Sequence, residues 1–260
     1  MEKTCVILVV THKDYWMPKD SLYRPLQVGS GESFHASWLR DNTGDHISEK
    51  NPHFCELTGL YWAWKNMGAD IIGLCHYRRY PGSPSAGGPK TERLLTRKEI
   101  DHLLKTSTDA QGVDILLPRK RHYWIETRES QYAHAHHAED LRCIETILSE
   151  RFPEYLDAWH HMLKTRSGHI CNMFVMRKEL LDAYCSWLFD ILFRAEQVLD
   201  ISAYSTEDRR VFGFLGERLL DVWIERNQYT WKEVPMINLE DQHWIRKGMA
   251  FIRRKWMGKT

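Results

Sequence analysis

The 260-residue chain is short of the features that assign a protein at once. Its six cysteines (5, 55, 75, 143, 171 and 185) include no CxxC pair, which removes a close-spaced structural zinc site and gives no disulfide framework. Neither GxGxxG nor GxxxxGK[ST] occurs, so a dinucleotide-binding turn and a P-loop are both unsupported. The longest apolar run near the N-terminus, Cys5 to Val10, is far shorter than the roughly 20 residues a membrane span requires. Glu2 and Lys3 precede it with no small-residue cleavage site, so a signal peptide is not expected and the chain reads as soluble and cytoplasmic. Lysine and arginine total 36 against 35 acidic residues, which leaves no global charge to attract nucleic acid. Internal repeats and low-complexity tracts are also missing.

Hydrophobic residues make up 43% of the chain, enough for a full core at a length that suits one α/β domain. Cys5 to Val10, Asp70 to Cys75, Val113 to Leu117 and Ile170 to Met176 read as buried strands, with a last short strand expected at Thr230 to Val234. Asn51-Pro52 reads as an N-cap followed by proline at the first helical position, and Phe54, Leu57, Tyr61 and Trp64 then mark one helix face to about Gly68. Thr96-Arg-Lys-Glu99 is a capping box that opens a helix to about Lys105. Helical spacing continues over residues 137–150, 153–164, 179–199 and 210–226, and Gly82 to Pro89 has the composition of a mobile loop. The expected fold is α/β: a mostly parallel sheet flanked by helices, with a helix-rich C-terminal half. Residues 1–240 form one domain in this reading and 241–260 a tail. Ligands of such sheets bind beyond the carboxyl ends of the strands, which directs attention to residues just after Val10, Cys75, Leu117 and Met176.

Thr11-His12-Lys13 leaves the first strand with a hydroxyl, an imidazole and an ammonium that suit a nucleotide base or phosphate. Asp41 and Asp45 lie four apart in an Asx-rich turn, able to ligate Mg²⁺ or Mn²⁺, to accept from sugar hydroxyls, or merely to shape the turn. His76-Tyr77-Arg78-Arg79 follows the second strand, and two guanidiniums there call for an anion: a protein carboxylate or the diphosphate of a departing nucleotide. Tyr132, His134 and His136 fit polar contacts to a sugar acceptor, while the His134–Asp140 cluster has a zinc-ligand alternative. Asn172 within an apolar run demands a partner. Glu217, beside Arg218 in a glycine-containing helix start, is a general-base candidate with an ordinary ion pair as its rival. Residues 244–260 hold six basic side chains and no acidic one among tryptophans and aliphatics, which suits either an anionic lipid surface or the protein's own acidic surface.

Taken together, VTHK (10–13), RDNTGDHIS (40–48), NPHFCELTGLYWAWK (51–65), GLCHYRRY (73–80), DILLP (114–118), NMF (172–174) and RVFGFL (210–215) resemble a bacterial glycosyltransferase family of capsular, exopolysaccharide and O-antigen gene clusters, formerly catalogued as a domain of unknown function. The resemblance spans roughly residues 4–240. It implies a GT-A-like nucleotide-binding sheet, and relatives in this family include galactofuranosyltransferases that use UDP-galactofuranose. Where GT-A enzymes usually carry Asp-x-Asp for a metal, this chain has His76-Tyr77-Arg78-Arg79, so Mn²⁺ or Mg²⁺ held by Asp41 and Asp45 stays open beside metal-free stabilisation by arginine.

The expectation is inverting hexosyl transfer from a UDP-sugar to a growing, lipid-linked surface polysaccharide. Glu217 acts as base and Arg78 and Arg79 stabilise the leaving UDP. Thr11, His12, Lys13, Asp41, Asp45 and His76 hold the donor, and Tyr132, His134, His136 and Asn172 the acceptor. The tail would give peripheral contact with the inner face of the membrane. A zinc-dependent hydrolase built on His134–Asp140 and a non-catalytic glycan-binding protein are the alternatives.

Overall fold

The computed structural model describes residues 3–104 and 112–240. Lys105, where the helix expected from Thr96 was to end, and the basic aromatic tail at 241–260 lie outside the described residues. In chain order the elements are β1 (Cys5–Thr11), β2 (Tyr23–Gln27), β3 (Leu39–Arg40), α1 (Asn51–Phe54), α2 (Leu57–Asn66), β4 (Ile71–His76), β5 (Arg79–Pro81), α3 (Arg97–Leu103), β6 (Ile115–Pro118) and β7 (Arg121–His122). They continue with α4 (Arg128–Ala135), α5 (Ala138–Arg151), α6 (Leu156–Lys164), β8 (Ser167–Gly168), β9 (Phe174–Arg177), α7 (Lys178–Val198), α8 (Val211–Arg226), β10 (Trp231–Val234) and β11 (Met236–Asn238).

The central sheet runs β10-β6-β9-β4-β1-β2-β3, with β5 and β11 attached at the end of β4. Neighbours β4, β1, β2 and β3 are parallel, as are β6 and β10. β9 is antiparallel to both β4 and β6, so the sheet is mixed although mostly parallel. The apolar run at Cys5–Val10 explains its central place. Val6, Leu8 and Val10 enter the larger core under the long helices, while Ile7 and Val9 enter a smaller core on the other face. A strand covered on both faces must be apolar at successive positions, and each fully buried side chain of this kind is worth about 1.5–3 kcal/mol. No helix among the described residues is long and apolar enough to cross a membrane.

Several elements differ from the sequence reading in instructive ways. β2 and β3 were not expected. The stretch at 51–66 is two helices, because Cys55 breaks it with φ 52° and ψ −130°. Asn51 is not the N-cap; its side-chain amide donates to the Cys55 carbonyl (2.8 Å) and the Thr58 hydroxyl (3.1 Å), holding the break together. The strand expected from Ile170 begins only at Phe174, because Cys171 and Asn172 turn with φ of 72° and 47°. The antiparallel course of β9 also moves the relevant end. The carboxyl edge of β4 is met by the residues entering β9, and not by those following Met176. The Gly82–Pro89 loop is pinned at its base, where the Gly82 amide donates to Pro235 (2.6 Å) and the Ser83 amide to Arg93 (2.8 Å). The capping box at Thr96 and Glu99 forms as expected.

Gly73 permits the close spacing at the sheet centre. A Cβ there would meet Ile7 and Val175 side-chain carbons at 3.0 Å and the Phe174 carbonyl at 3.2 Å. Gly73→Ala is expected to cost about 1–3 kcal/mol by overpacking. Thermal unfolding followed by circular dichroism checks this, with a Tm several degrees lower expected and an unchanged Tm contradicting the packing argument.

Candidate active site

A cleft of about 460 Å³ opens where β1 and β4 end, bounded by the α1/α2 break, the 171–172 turn and the first turns of α8. Two glycines bring α8 this close. A Cβ at Gly213 would lie 3.2 Å from the Cys55 Sγ, and one at Gly216 would lie 2.8 Å from a Leu57 methyl carbon and 3.2 Å from the Asn172 Oδ1. Cys55, Cys171 and Asn172, at or beside the cleft, all hold positive φ, a conformation that costs non-glycine residues energy and gathers at functional sites.

Cationic side chains dominate the mouth. Lys13, Arg78, Arg79 and Arg210 line it, against the two carboxylates Glu56 and Glu217. Arg78 donates to Glu240 at 3.1 Å in a partly exposed pair, the kind worth at most about 1 kcal/mol and easily surrendered to a ligand. The Arg79 side chain is half-buried and its guanidinium has no hydrogen bond or ion pair among the described residues, while its backbone pairs within the sheet. His12 and His76 add little charge: burial, reinforced at His12 by Lys13 and neighbouring cations, lowers both imidazole pKa values. The His76 Nε2 donates to the Cys171 carbonyl at 2.6 Å, so that nitrogen carries the ring proton. Arg210 points its Nε at the Cys55 Sγ (3.2 Å), yet burial pushes the Cys55 thiol up to about 11 and the Cys171 thiol to about 12. Both stay protonated at neutral pH and poor nucleophiles.

Glu217 sits deeper. Its side chain is 21% exposed, and its Oε1 accepts the Cys171 backbone amide at 2.8 Å. Burial, opposed by Arg218 at 3.7 Å and reinforced by the nearby Glu56 carboxylate, raises its pKa above the usual value of a glutamate. Glu56 accepts from the Asn172 side-chain amide at 2.7 Å, and that amide also donates to the Gly213 carbonyl at 3.1 Å. Asn172 thus finds its partners as a brace between the α1/α2 break and α8.

The structure therefore brings His12, Lys13, His76, Arg78, Arg79 and Glu217 to one cleft, with Asn172 behind its wall. Others expected at the site lie elsewhere. Thr11 is fully buried and its hydroxyl closes its own turn, donating to the Lys13 carbonyl (2.6 Å) and accepting the Lys13 amide (3.0 Å). Asp41 is fully buried, accepting the Gly29 amide (3.0 Å) and the Ser48 hydroxyl (2.6 Å), and burial raises its pKa. Asp45 is exposed and accepts from Tyr61 at 3.1 Å. Neither aspartate lines the cleft, and no group of three or more His, Cys, Asp or Glu among the described residues could hold a metal ion. The pair does not fit Mn²⁺ or Mg²⁺, and no step below runs through a metal.

The acceptor candidates are similarly engaged. The buried Tyr132 hydroxyl donates to Asp140 (2.8 Å), His134 pairs with Glu126 (2.7 Å) on the surface, and His136 pairs with Asp208 (3.0 Å) and stacks on Phe214. Asp140 also accepts from Tyr204 at 2.7 Å and His137 faces the same Asp208 carboxylate as His136 at 3.8 Å, so the residues of the zinc alternative are engaged by other groups. Sequence reasoning missed Cys55, Glu56, Cys171 and Arg210 as cleft residues. The one signal for Glu56 was its place four residues after the cleft residue Pro52 within the NPHFCE string, a spacing that shares a face only on an unbroken helix.

Over residues 6–228 the chain matches the family described as a domain of unknown function (DUF4422), and it belongs to that family. It is also similar to a solved apo structure of WbbM, a bifunctional glycosyltransferase, with 29% identity and a TM-score of 0.77. That likeness covers 92% of this chain and 46% of the other, so the chain spans about half the length of that protein. No curated protein matches.

Because folding raises the Glu217 pKa, this carboxyl costs the fold stability as pH climbs from the ordinary value of a glutamate through its raised folded value, and no more beyond it. Gln keeps the acceptor for the Cys171 amide without the charge. Glu217→Gln is expected to match the wild type in Tm near pH 4 and to exceed it progressively towards pH 8; a constant difference across that range would contradict the burial of this carboxylate.

Proposed function

We propose that the chain is a glycosyltransferase that moves a sugar from a UDP-sugar to a saccharide acceptor with inversion at the anomeric carbon. The observation that carries this reading is one cleft holding an unpaired half-buried guanidinium, Arg79, together with a recessed carboxylate, Glu217, whose pKa is raised. The mouth suits a diphosphate: arginine forks match phosphate oxygens, and Arg78 and Lys13 stand beside Arg79. The recessed carboxylate suits proton abstraction from a hydroxyl, since a raised pKa brings a base closer to the operating pH. The likeness to a glycosyltransferase over nearly the whole chain supports the same class.

In the proposed reaction Glu217 takes the proton from the acceptor hydroxyl, and that oxygen forms the new bond to the anomeric carbon. The bond from that carbon to the UDP oxygen breaks, UDP leaves with the electron pair, and Arg78 and Arg79 stabilise its growing charge. His12 and Lys13 lie at the end of β1 beside this charge and belong to the donor side. Thr11 contributes indirectly, by fixing the turn that presents them. UDP-galactofuranose is the donor we favour from the family resemblance, with a lipid-linked surface polysaccharide as acceptor at the inner face of the membrane.

Calorimetry with UDP and metal-stripped protein tests the donor half: binding is expected, and Arg79→Ala should weaken it by tenfold or more, while absence of binding would overturn the clamp. Glu217→Gln should keep UDP affinity and lose about 10²–10⁴-fold in turnover, the usual worth of a general base. Wild-type turnover should rise with pH through the raised pKa of Glu217, at higher pH than a freely solvated glutamate would give. Near-normal turnover of Glu217→Gln would remove the assignment.

A further inference from the structure

A second cleft, of about 300 Å³, lies between α6, the lower turns of α8 and β10. His169 lines it and is 3% exposed. Asp221 receives the His169 Nδ1 at 2.5 Å and the His169 backbone amide at 3.1 Å, and is itself paired with the buried Arg128. A carboxylate only accepts, so Nδ1 carries the proton, and in the neutral ring Nε2 is left as an acceptor. That nitrogen has no hydrogen-bond partner among the described residues, and its nearest polar neighbour, the Glu233 Oε1 at 3.8 Å, is another acceptor. Glu233 Oε1 already accepts the Lys120 backbone amide at 3.2 Å, so the unmet acceptor here is His169 Nε2, which calls for a donor that a ligand hydroxyl supplies.

Beside them Trp231 is 39% exposed, with its ring 5.2 Å from that of His169 and the Lys120 ammonium 4.6 Å from its centroid. The charge in this cleft balances, Lys120 and Arg128 against Asp221 and Glu225, whereas the first cleft is cationic. An aromatic face, an unmet acceptor and no surplus charge together favour a neutral polyhydroxylated ring over an anion.

We infer that this cleft is a second saccharide-binding site, which takes a neutral sugar unit with a hydroxyl on His169 and its ring against Trp231. The inference extends the transferase reading and takes its purpose, a hold on the acceptor chain away from the reacting end, from that reading. The two clefts share a strut: the chain at 169–171 lays its amides on Asp221 and Glu217, one helical turn apart on α8.

Saturation-transfer NMR with the methyl glycosides of galactopyranose, galactofuranose and glucopyranose tests the site directly. At least one glycoside should respond, the response should persist with UDP present in excess, and Trp231→Ala should weaken it about tenfold, the worth of a good ring contact. No response from any glycoside, a response untouched by Trp231→Ala, or one abolished by UDP would overturn the inference. A Trp231-dependent response in a protein that fails to bind UDP would leave this site standing and remove the transferase reading instead.

Discussion

Two backbone amides aimed at two carboxylates hold the functional half of this protein together. Glu217 and Asp221 stand one turn apart on α8, and the chain at 169–171 donates to both, Cys171 to Glu217 at 2.8 Å and His169 to Asp221 at 3.1 Å. This contact fixes the depth of Glu217 in its cleft and explains why the chain must turn so sharply before β9. Cys171 and Asn172 accept left-handed backbone because the segment has to run along α8 and then enter the sheet antiparallel to β4. Gly213 and Gly216 allow the approach from the other side.

The resulting electrostatics separate by depth. Guanidiniums and an ammonium occupy the mouth at the ends of β1 and β4, the two imidazoles are kept neutral by burial, and the carboxylates lie further in. In the proposed reaction this order would place the anion outside and the base inside, the arrangement that displacement of a diphosphate by a hydroxyl needs. The thiols of Cys55 and Cys171 are withdrawn from that chemistry by burial and serve as small fillers at tight turns.

Much of the fold was legible because the central strands are covered on both faces, which forces uninterrupted apolar runs at Cys5–Val10 and Asp70–Cys75. β2 was hidden: it is five residues long and carries Arg24 exposed and Pro25 in its middle, a pattern closer to a loop than to a strand. The break at Cys55 was hidden too, since nothing in the residue type announces a positive φ, and the break is what delivers Glu56 to the cleft. At the site, the paired arginines and Glu217 could be read from chemistry and their place relative to the strands. Asp41, Tyr132 and His134 could not be separated from them, because residue type alone does not show that a carboxylate is spent on Ser48 or a hydroxyl on Asp140.

The central claim is that one cleft presents Arg79 to a diphosphate and Glu217 to the acceptor hydroxyl. A crystal structure of the protein with UDP tests it most directly. The account predicts diphosphate oxygens within hydrogen-bond distance of the Arg79 guanidinium, with the terminal phosphate on the side of the cleft that faces Glu217. UDP seated elsewhere on the protein, or in this cleft with its diphosphate away from Arg79, would contradict it.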